Sequence, residues 1–317
     1  MTDAPIPLFV LAGRDPSAHA LPPGSREHPL VAYKGAELRI DGRPMVSRLA
    51  DAAGASGRFD PVFVVGPRHV HGETGLPVID TDGRLAENVR AAVERFSTDR
   101  AAGAMAFLTC DVLPTADELR AATRDLDGAE ACPLFYPLIR APGRETLAAS
   151  AWKPSYRVRP EEGADPVEIL PGHLVVVDPR AIRLELAYRL LDVAYRTRNE
   201  PVERRRRSMV RRVLGNLLWE DVRHLLGARV PDLTWSVLTR GTRLARGLRA
   251  GALTRAALER LVGRLALRHA WRRRHPSLAI RLPIVDALGL ALDIDTEEEA
   301  AERGAVLRRA PPRDAGA

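Results

Sequence analysis

The sequence predicts an α/β three-layer sandwich with a mostly parallel central sheet and a helical insertion before its last strand. Three observations predict it. Short apolar runs of strand length recur at 6–12, 61–66, 76–80 and 104–109. Helix-period patterns lie between them. From 179 to about 269 the strand pattern gives way to helical spacing alone. Strands alternating with helices mark a parallel sheet covered on both faces.

The elements follow in order. Residues 6–12 form a buried strand that breaks at Gly13. Residues 14–33 hold four prolines and little periodicity, which reads as a loop. A helix runs from Pro44 to Ala53, with proline tolerated at its start. Strands follow at 61–66 and 76–80, an amphipathic helix at 85–96, a strand at 104–109 and a helix at 116–125. Residues 131–139 and 173–177 read as strands flanking a polar, proline-rich stretch. In the helical segment, Met209, Val213, Leu217 and Leu218 recur at helix spacing, as do Leu253, Ala257, Leu258, Leu261 and Leu265. Residues 278–284 return to strand and 297–308 close with a helix. The predicted division is a core of 1–180 plus 278–308, a helical insertion at 181–277, and a disordered tail at 309–317.

Bulk properties narrow the class. A chain of 317 residues can bury a full core. The net charge of +7 is concentrated, with eight arginines between 196 and 212 against Glu200 and Glu203. The remainder is near neutral, which argues against a broad nucleic-acid footprint. Cys110 and Cys132 are too few for a disulfide framework or a cysteine metal site. They fit a reducing, cytoplasmic setting. The N-terminal stretch is acidic at Asp3 and interrupted by prolines, unlike a signal peptide. No apolar run is long enough to span a bilayer.

Ligands of open parallel sheets bind beyond the carboxyl ends of the strands. Gly13 and Asp111 both fall at such ends. Backbone N–H groups beside Gly13 can approach phosphates with no Cβ in the way, and an ordinary turn is the plain alternative. Asp111, ending the run Phe107-Leu108-Thr109-Cys110, is a natural Mg²⁺ ligand, or else a cap for the next helix. Asp293 and Asp295 flank Ile294, so both share one face of an extended segment. Two like charges there need a cation or a basic group between them. Asp295 or Thr296 can equally cap the last helix, with Glu298 and Glu299 in its first turn. Lys34 is one of two lysines among 46 arginines. A compact point charge suits phosphate, and a surface lysine is the plain alternative. His173, after Pro171-Gly172, either faces a substrate or is an ordinary strand residue. His69 and His71 lack metal-ligand spacing.

These pieces, in this order, resemble the MobA-like nucleotidyltransferases, whose fold is of the GT-A, nucleotide-diphospho-sugar transferase type. The resemblance rests on Leu11-Ala12-Gly13, on Lys34 followed by Gly42-Arg43-Pro44-Met45-Val46, and on Leu108-Thr109-Cys110-Asp111. It rests also on Asp82-Gly83-Arg84-Leu85-Ala86-Glu87-Asn88 and on Asp293-Ile294-Asp295-Thr296-Glu297-Glu298. It covers about 1–180 and 278–308. Arg14 replaces the family's second glycine, Arg26 is a candidate for its loop arginine, and Gly172-His173 stands where many members have Gly-Asn. The helical segment looks like an insertion.

The resemblance implies transfer of a nucleoside monophosphate from a nucleoside triphosphate to a small phosphorylated or hydroxylated acceptor, with release of pyrophosphate. Lys34 and Asp111 would be catalytic. Leu11, Ala12, Gly13, Arg14, Lys34, Gly83 and Asn88 would bind the nucleotide. Mg²⁺ would sit on Asp111 and on Asp293 or Asp295, and Gly172 and His173 would face the acceptor. Two other readings are open: a glycosyltransferase using a nucleotide sugar, and a degenerate member that binds partners through Arg204–Arg207. The apolar face at 209–226 also admits peripheral membrane contact as a further reading of that segment.

Overall fold

A computed structural model describes residues 5–14, 33–99, 103–126, 132–142, 155–196, 221–222 and 233–309. Arg26, Lys153, the arginines from 198 to 212, most of the 209–226 pattern and the predicted tail beyond 309 lie outside them.

The first half is the predicted alternation. β1 (Ile6–Leu11) is followed by α1 (Lys34–Glu37), a hairpin of β2 (Arg39–Ile40) and β3 (Arg43–Pro44), and α2 (Met45–Ser56). Asp41 and Gly42 both have positive φ, at 51° and 74°, the conformation a tight hairpin needs. β4 (Phe59–Gly66), α3 (Arg68–His71), β5 (Val78–Asp80), α4 (Leu85–Asp99), β6 (Met105–Thr109) and α5 (Ala116–Thr123) complete this half. α5 opens on a reciprocal cap, in which Thr115 Oγ1 accepts from Glu118 N and Glu118 accepts from Thr115 N.

The central sheet has six strands in the order β5-β4-β1-β6-β11-β7, where β7 is Leu134–Phe135 and β11 is Leu174–Val177. β5, β4, β1 and β6 run parallel, and β11 is antiparallel to both its neighbours. Alternate residues of β1 serve opposite layers. Leu8 and Val10 pack with Met45, Leu49 and Ala53 of α2 and Leu119 of α5. Phe9 and Leu11 pack with Ala86, Val89 and Val93 of α4, and with Tyr188. That alternation makes three layers, with the sheet buried on both faces.

A second sheet, in the order β12-β8-β10-β9, stands beside the first. It comprises β8 (Leu138–Arg140), β9 (Tyr156–Val158), β10 (Val167–Pro171) and β12 (Ile284–Val285). β9 and β10 occupy the polar, proline-rich stretch that sequence pattern reads as irregular. The last strand, β12, joins this second sheet and not the central one. The helical segment includes α6 (Leu184–Arg196), α7 (Leu233–Ala250), α8 (Arg255–Ala266) and α9 (His269–Arg274). Leu258 and Leu261 of α8 bury against Val158 and Ile169 of the second sheet, while Tyr188 of α6 packs on the central one.

The chain closes with α10 (Glu297–Arg309). The segment before it is tied down by Glu118, which accepts from Gly289 N at 2.7 Å and from Arg303 at 3.4 Å. Arg303 also donates to Leu113 O at 2.8 Å. Charge-assisted hydrogen bonds of this kind contribute about 1.5–3 kcal/mol. Glu118→Ala removes the carboxylate half of the reciprocal cap and the Gly289 tether together. Denaturant unfolding is expected to show a loss of about 2–3 kcal/mol, whereas Asp117→Ala, beside it on the surface, should change stability by less than about 1 kcal/mol.

Candidate active site

In the central sheet the strand order reverses direction at β1, whose neighbours are β4 on one side and β6 on the other. The crevice at the carboxyl ends of β1 and β6 is where such sheets bind ligands. Ala12 and Gly13 follow β1 there, and Asp111 follows β6.

The acidic groups meet at this point. Asp111 O accepts from Ile294 N at 2.7 Å, which docks the late acidic segment onto the end of β6. Ile294 is buried in the core and Asp293 and Asp295 flank it. Asp295 forms an ion pair with Lys34, whose side chain is only 5% exposed. Thr296 and Glu299 form the helix cap: Thr296 Oγ1 accepts from Glu299 N at 3.1 Å, and Glu299 Oε2 accepts from Asp295 N at 2.7 Å. With Thr296 as the cap, the Asp295 carboxylate is available to Lys34.

Asp293 and Asp111 lie on either side of His173. Antiparallel pairing sets Leu174 opposite Leu108, so one residue earlier His173 faces Thr109. Its main-chain N–H donates to Leu290 O at 2.8 Å. Its ring Nε2 is 2.9 Å from Asp293 Oδ1 and its Nδ1 is 2.6 Å from Thr109 Oγ1. The Thr109 hydroxyl donates to Asp111 Oδ1, so its oxygen must accept from Nδ1–H. An imidazolium satisfies every partner at once. Burial opposes the charged ring, but the Asp293 charge and the bonding to Asp111 and Asp293 outweigh it and push its pKa up to about 9. Burial likewise opposes ionisation of Asp111, yet His173, Thr109 and Lys34 together hold its carboxyl well below the usual range.

The predicted nucleotide residues form an adjoining group. A Cβ on Gly13 would collide with the Asn88 amide and lie 3.1 Å from Gly83 O, so only glycine allows this approach. Asn88 is buried, and its Oδ1 accepts from Thr81 at 3.1 Å. Ala12 is fixed on both sides of its peptide unit: its N–H donates to Val65 O at 2.9 Å and its carbonyl accepts from His71 Nε2 at 2.9 Å. Tyr33 donates to Asp82 at 3.0 Å. Gly35 packs against both Ala12 and Cys110, so the helix that carries Lys34 lies against the residues that follow both β1 and β6. Leu11 is buried below, its carbonyl accepting from Cys110 N at 3.2 Å, and Arg14 is exposed. Gly172 O accepts from the Tyr136 hydroxyl at 2.8 Å.

A solved structure described as a hypothetical transferase from Thermus thermophilus aligns over 94% of this chain and 100% of its own, at 20% identity and a TM-score of 0.51. The chain shares its fold with this transferase. Two looser alignments are to a CMP:2-keto-3-deoxy-manno-octonic acid synthetase complexed with CTP and to a 4-diphosphocytidyl-2C-methyl-D-erythritol synthase from Anaerococcus prevotii. The first covers 96% of this chain and 98% of the other at 12% identity and a TM-score of 0.46. The second covers 96% and 99% at 8% identity and a TM-score of 0.42. No protein-family model matches the sequence, and no curated protein matches it. Among the described residues no helix is long and apolar enough to cross a membrane.

Sequence pattern alone misses Thr109, Tyr33, His71 and Thr81. Thr109 carries a faint signal, as the polar residue closing an apolar run. His71 carries none, because its contact with Ala12 is set by the sheet.

The His173 cluster has a pH signature. His173 titrates at about 9 in the fold against an ordinary 6.5, so its stabilisation is complete below pH 6.5 and is lost as pH rises through about 9. Asp111 is depressed below its ordinary 3.8, so its stabilisation is present above that value and is lost on acidification. The cluster therefore stabilises the fold most between about pH 4 and 6.5. Melting in chelator should show wild type ahead of His173→Gln in that window, with the gap closing toward pH 9. A gap that widens with pH would refute the assignment.

Proposed function

We propose that the chain is a metal-dependent nucleotidyltransferase. It moves a nucleoside monophosphate from a nucleoside triphosphate to a small phosphorylated or hydroxylated acceptor. The supporting observation is the meeting, across Lys34 and Gly35, of two residue groups far apart in sequence. One is the glycine group of Gly13, Gly83 and Asn88, and the other is the acidic group of Asp111, Asp293 and Asp295. The transferase fold is consistent with this use.

In this reading, backbone N–H groups at Gly13 and Arg14 lie along the phosphates, and Asn88 and Gly83 border the nucleoside. An acceptor oxygen attacks the α-phosphorus from the side of Gly172 and His173. The new P–O bond forms as the bond to the β-phosphate breaks, pyrophosphate leaves with the electron pair, and a hydroxyl acceptor gives up its proton to water. Lys34, shared between Asp295 and the phosphates, offsets the charge that develops. The residues fit a divalent cation such as Mg²⁺, which binds through one or two carboxylates and completes its shell with phosphate oxygens and water. Asp111 and Asp293 would hold it, and when bound it would neutralise phosphate charge and align the leaving group. Most of the protein's task is positioning.

The test is thermal unfolding with each of the four nucleoside triphosphates plus Mg²⁺. A ligand at about 100 times its Kd stabilises the fold by about 2.7 kcal/mol. One triphosphate is expected to raise the midpoint, less so in Asp111→Asn. Pyrophosphate release should fall about 10²–10³-fold in that variant. No response to any triphosphate, or release of nucleoside diphosphate from a nucleotide sugar, would overturn the proposal; the second outcome would establish glycosyl transfer.

A further inference from the structure

The reading above needs only two carboxylates for its cation, but the geometry supplies a third donor. We infer that Asp111, His173 Nε2 and Asp293 form one mixed oxygen-and-nitrogen site that selects a first-row transition ion of the Mn²⁺ class over Mg²⁺. The inference deepens the nucleotidyl-transfer reading and rests on it for the use of the ion, though not for its binding.

Four observations carry it. First, ligand atoms of the three side chains all lie within 4.8 Å of one another. Donors about 2.1 Å from a shared ion stand about 3.0 Å apart when adjacent and about 4.2 Å apart when opposite. The 2.9 Å between His173 Nε2 and Asp293 Oδ1, spanned by the ring N–H in the hydrogen-bonded cluster, is also the adjacent spacing, and a bound ion would take the place of that proton.

Second, the other ring nitrogen is engaged as ligating histidines require. Nδ1–H donates to Thr109 Oγ1 at 2.6 Å, which leaves Nε2 as the nitrogen for a metal. Third, the same Thr109 hydroxyl bonds Asp111, so one residue outside the donor set orients two members of it. Fourth, the three side chains are 20–31% exposed. An ion can therefore enter and keep outward positions for water or phosphate oxygens.

The choice of ion follows from the donors. Mg²⁺ takes oxygen almost exclusively, so an imidazole adds nothing to its binding. Transition ions accept imidazole nitrogen together with carboxylate oxygen. Asp295 does not enter this set, being held by Lys34.

The test uses the nucleotide-free protein and metal alone. Mn²⁺ binding is followed by the electron paramagnetic resonance of the free ion, and Mg²⁺ by competition against Mn²⁺. Wild type should bind Mn²⁺ at least about tenfold more tightly than Mg²⁺. His173→Gln should weaken Mn²⁺ about tenfold or more and should not weaken Mg²⁺. Thr109→Val should also weaken Mn²⁺, by about tenfold, through loss of orientation.

Electron spin-echo modulation of the bound Mn²⁺ should show nitrogen coupling in wild type, a readout that needs no variant to fold. Equal affinity for the two ions, absence of nitrogen coupling, or no Mn²⁺ binding would each overturn the inference. The two readings fail separately. Nitrogen-coupled Mn²⁺ with no pyrophosphate released from any triphosphate sinks the transferase reading and supports the metal site. Pyrophosphate release with no nitrogen coupling sinks the histidine ligand and leaves the transferase reading standing.

Discussion

Three carboxylates at the end of one sheet set the terms for the rest of the site. At an effective dielectric of about 20, two like charges 4 Å apart repel by about 4 kcal/mol. Asp111, Asp293 and Asp295 therefore cannot gather without cations among them. The structure supplies two, each given to a different carboxylate of the late segment: His173 to Asp293 and Lys34 to Asp295. Asp111 faces both charges, with Thr109 as the hydroxyl bridge to the ring. Three negative charges against two positive ones leave an excess of one, at the strand ends where a cation and a polyphosphate would meet.

The backbone makes this gathering possible. The segment 289–294 is bonded to three separate pieces of the fold: Glu118 receives Gly289 N, Leu290 O receives His173 N, and Asp111 O receives Ile294 N. Ile294 fills the core while its two neighbours stay at the site. A buried apolar residue thus fixes the register of the acidic pair, since a slip of one residue would bury a carboxylate and expose Ile294.

Much of this was legible in the sequence, because the apolar runs of the parallel strands are continuous and their ends are sharp. β1, β4 and β6 read directly, and Asp111 reads as a strand-end carboxylate. The shared face of Asp293 and Asp295 follows from the two-residue repeat, as does their need for basic partners. What did not read were β9 and β10. Tyr156-Arg157-Val158 is short and two-thirds exposed by residue, and the Val167–Pro171 strand lies beyond a turn of acidic residues and glycine. Their stability comes from α7 and α8, tertiary neighbours that local pattern cannot announce. The place of His173 was equally hidden. It depends on an antiparallel return of β11 along β6, and the sequence shows only a histidine after a glycine.

The helix cap at Thr296 decides what Asp295 can do. An aspartate just before a helix is usually drawn to the free N–H groups of the first turn. Here Thr296 and Glu299 satisfy those groups between them, and the Asp295 carboxylate turns to Lys34. A lysine this buried needs an anionic partner, because an unpaired ammonium out of water costs several kcal/mol. The ion pair is thus what permits a cation to stand beside the acidic group before any ligand arrives. A phosphate oxygen can share the same ammonium, so in the proposed nucleotide complex Lys34 would bridge Asp295 and phosphate and neither side chain would lose its charge partner. In that arrangement Asp295 would hold the ammonium in place for phosphate, and the capping residue beside it keeps the Asp295 carboxylate available for that task.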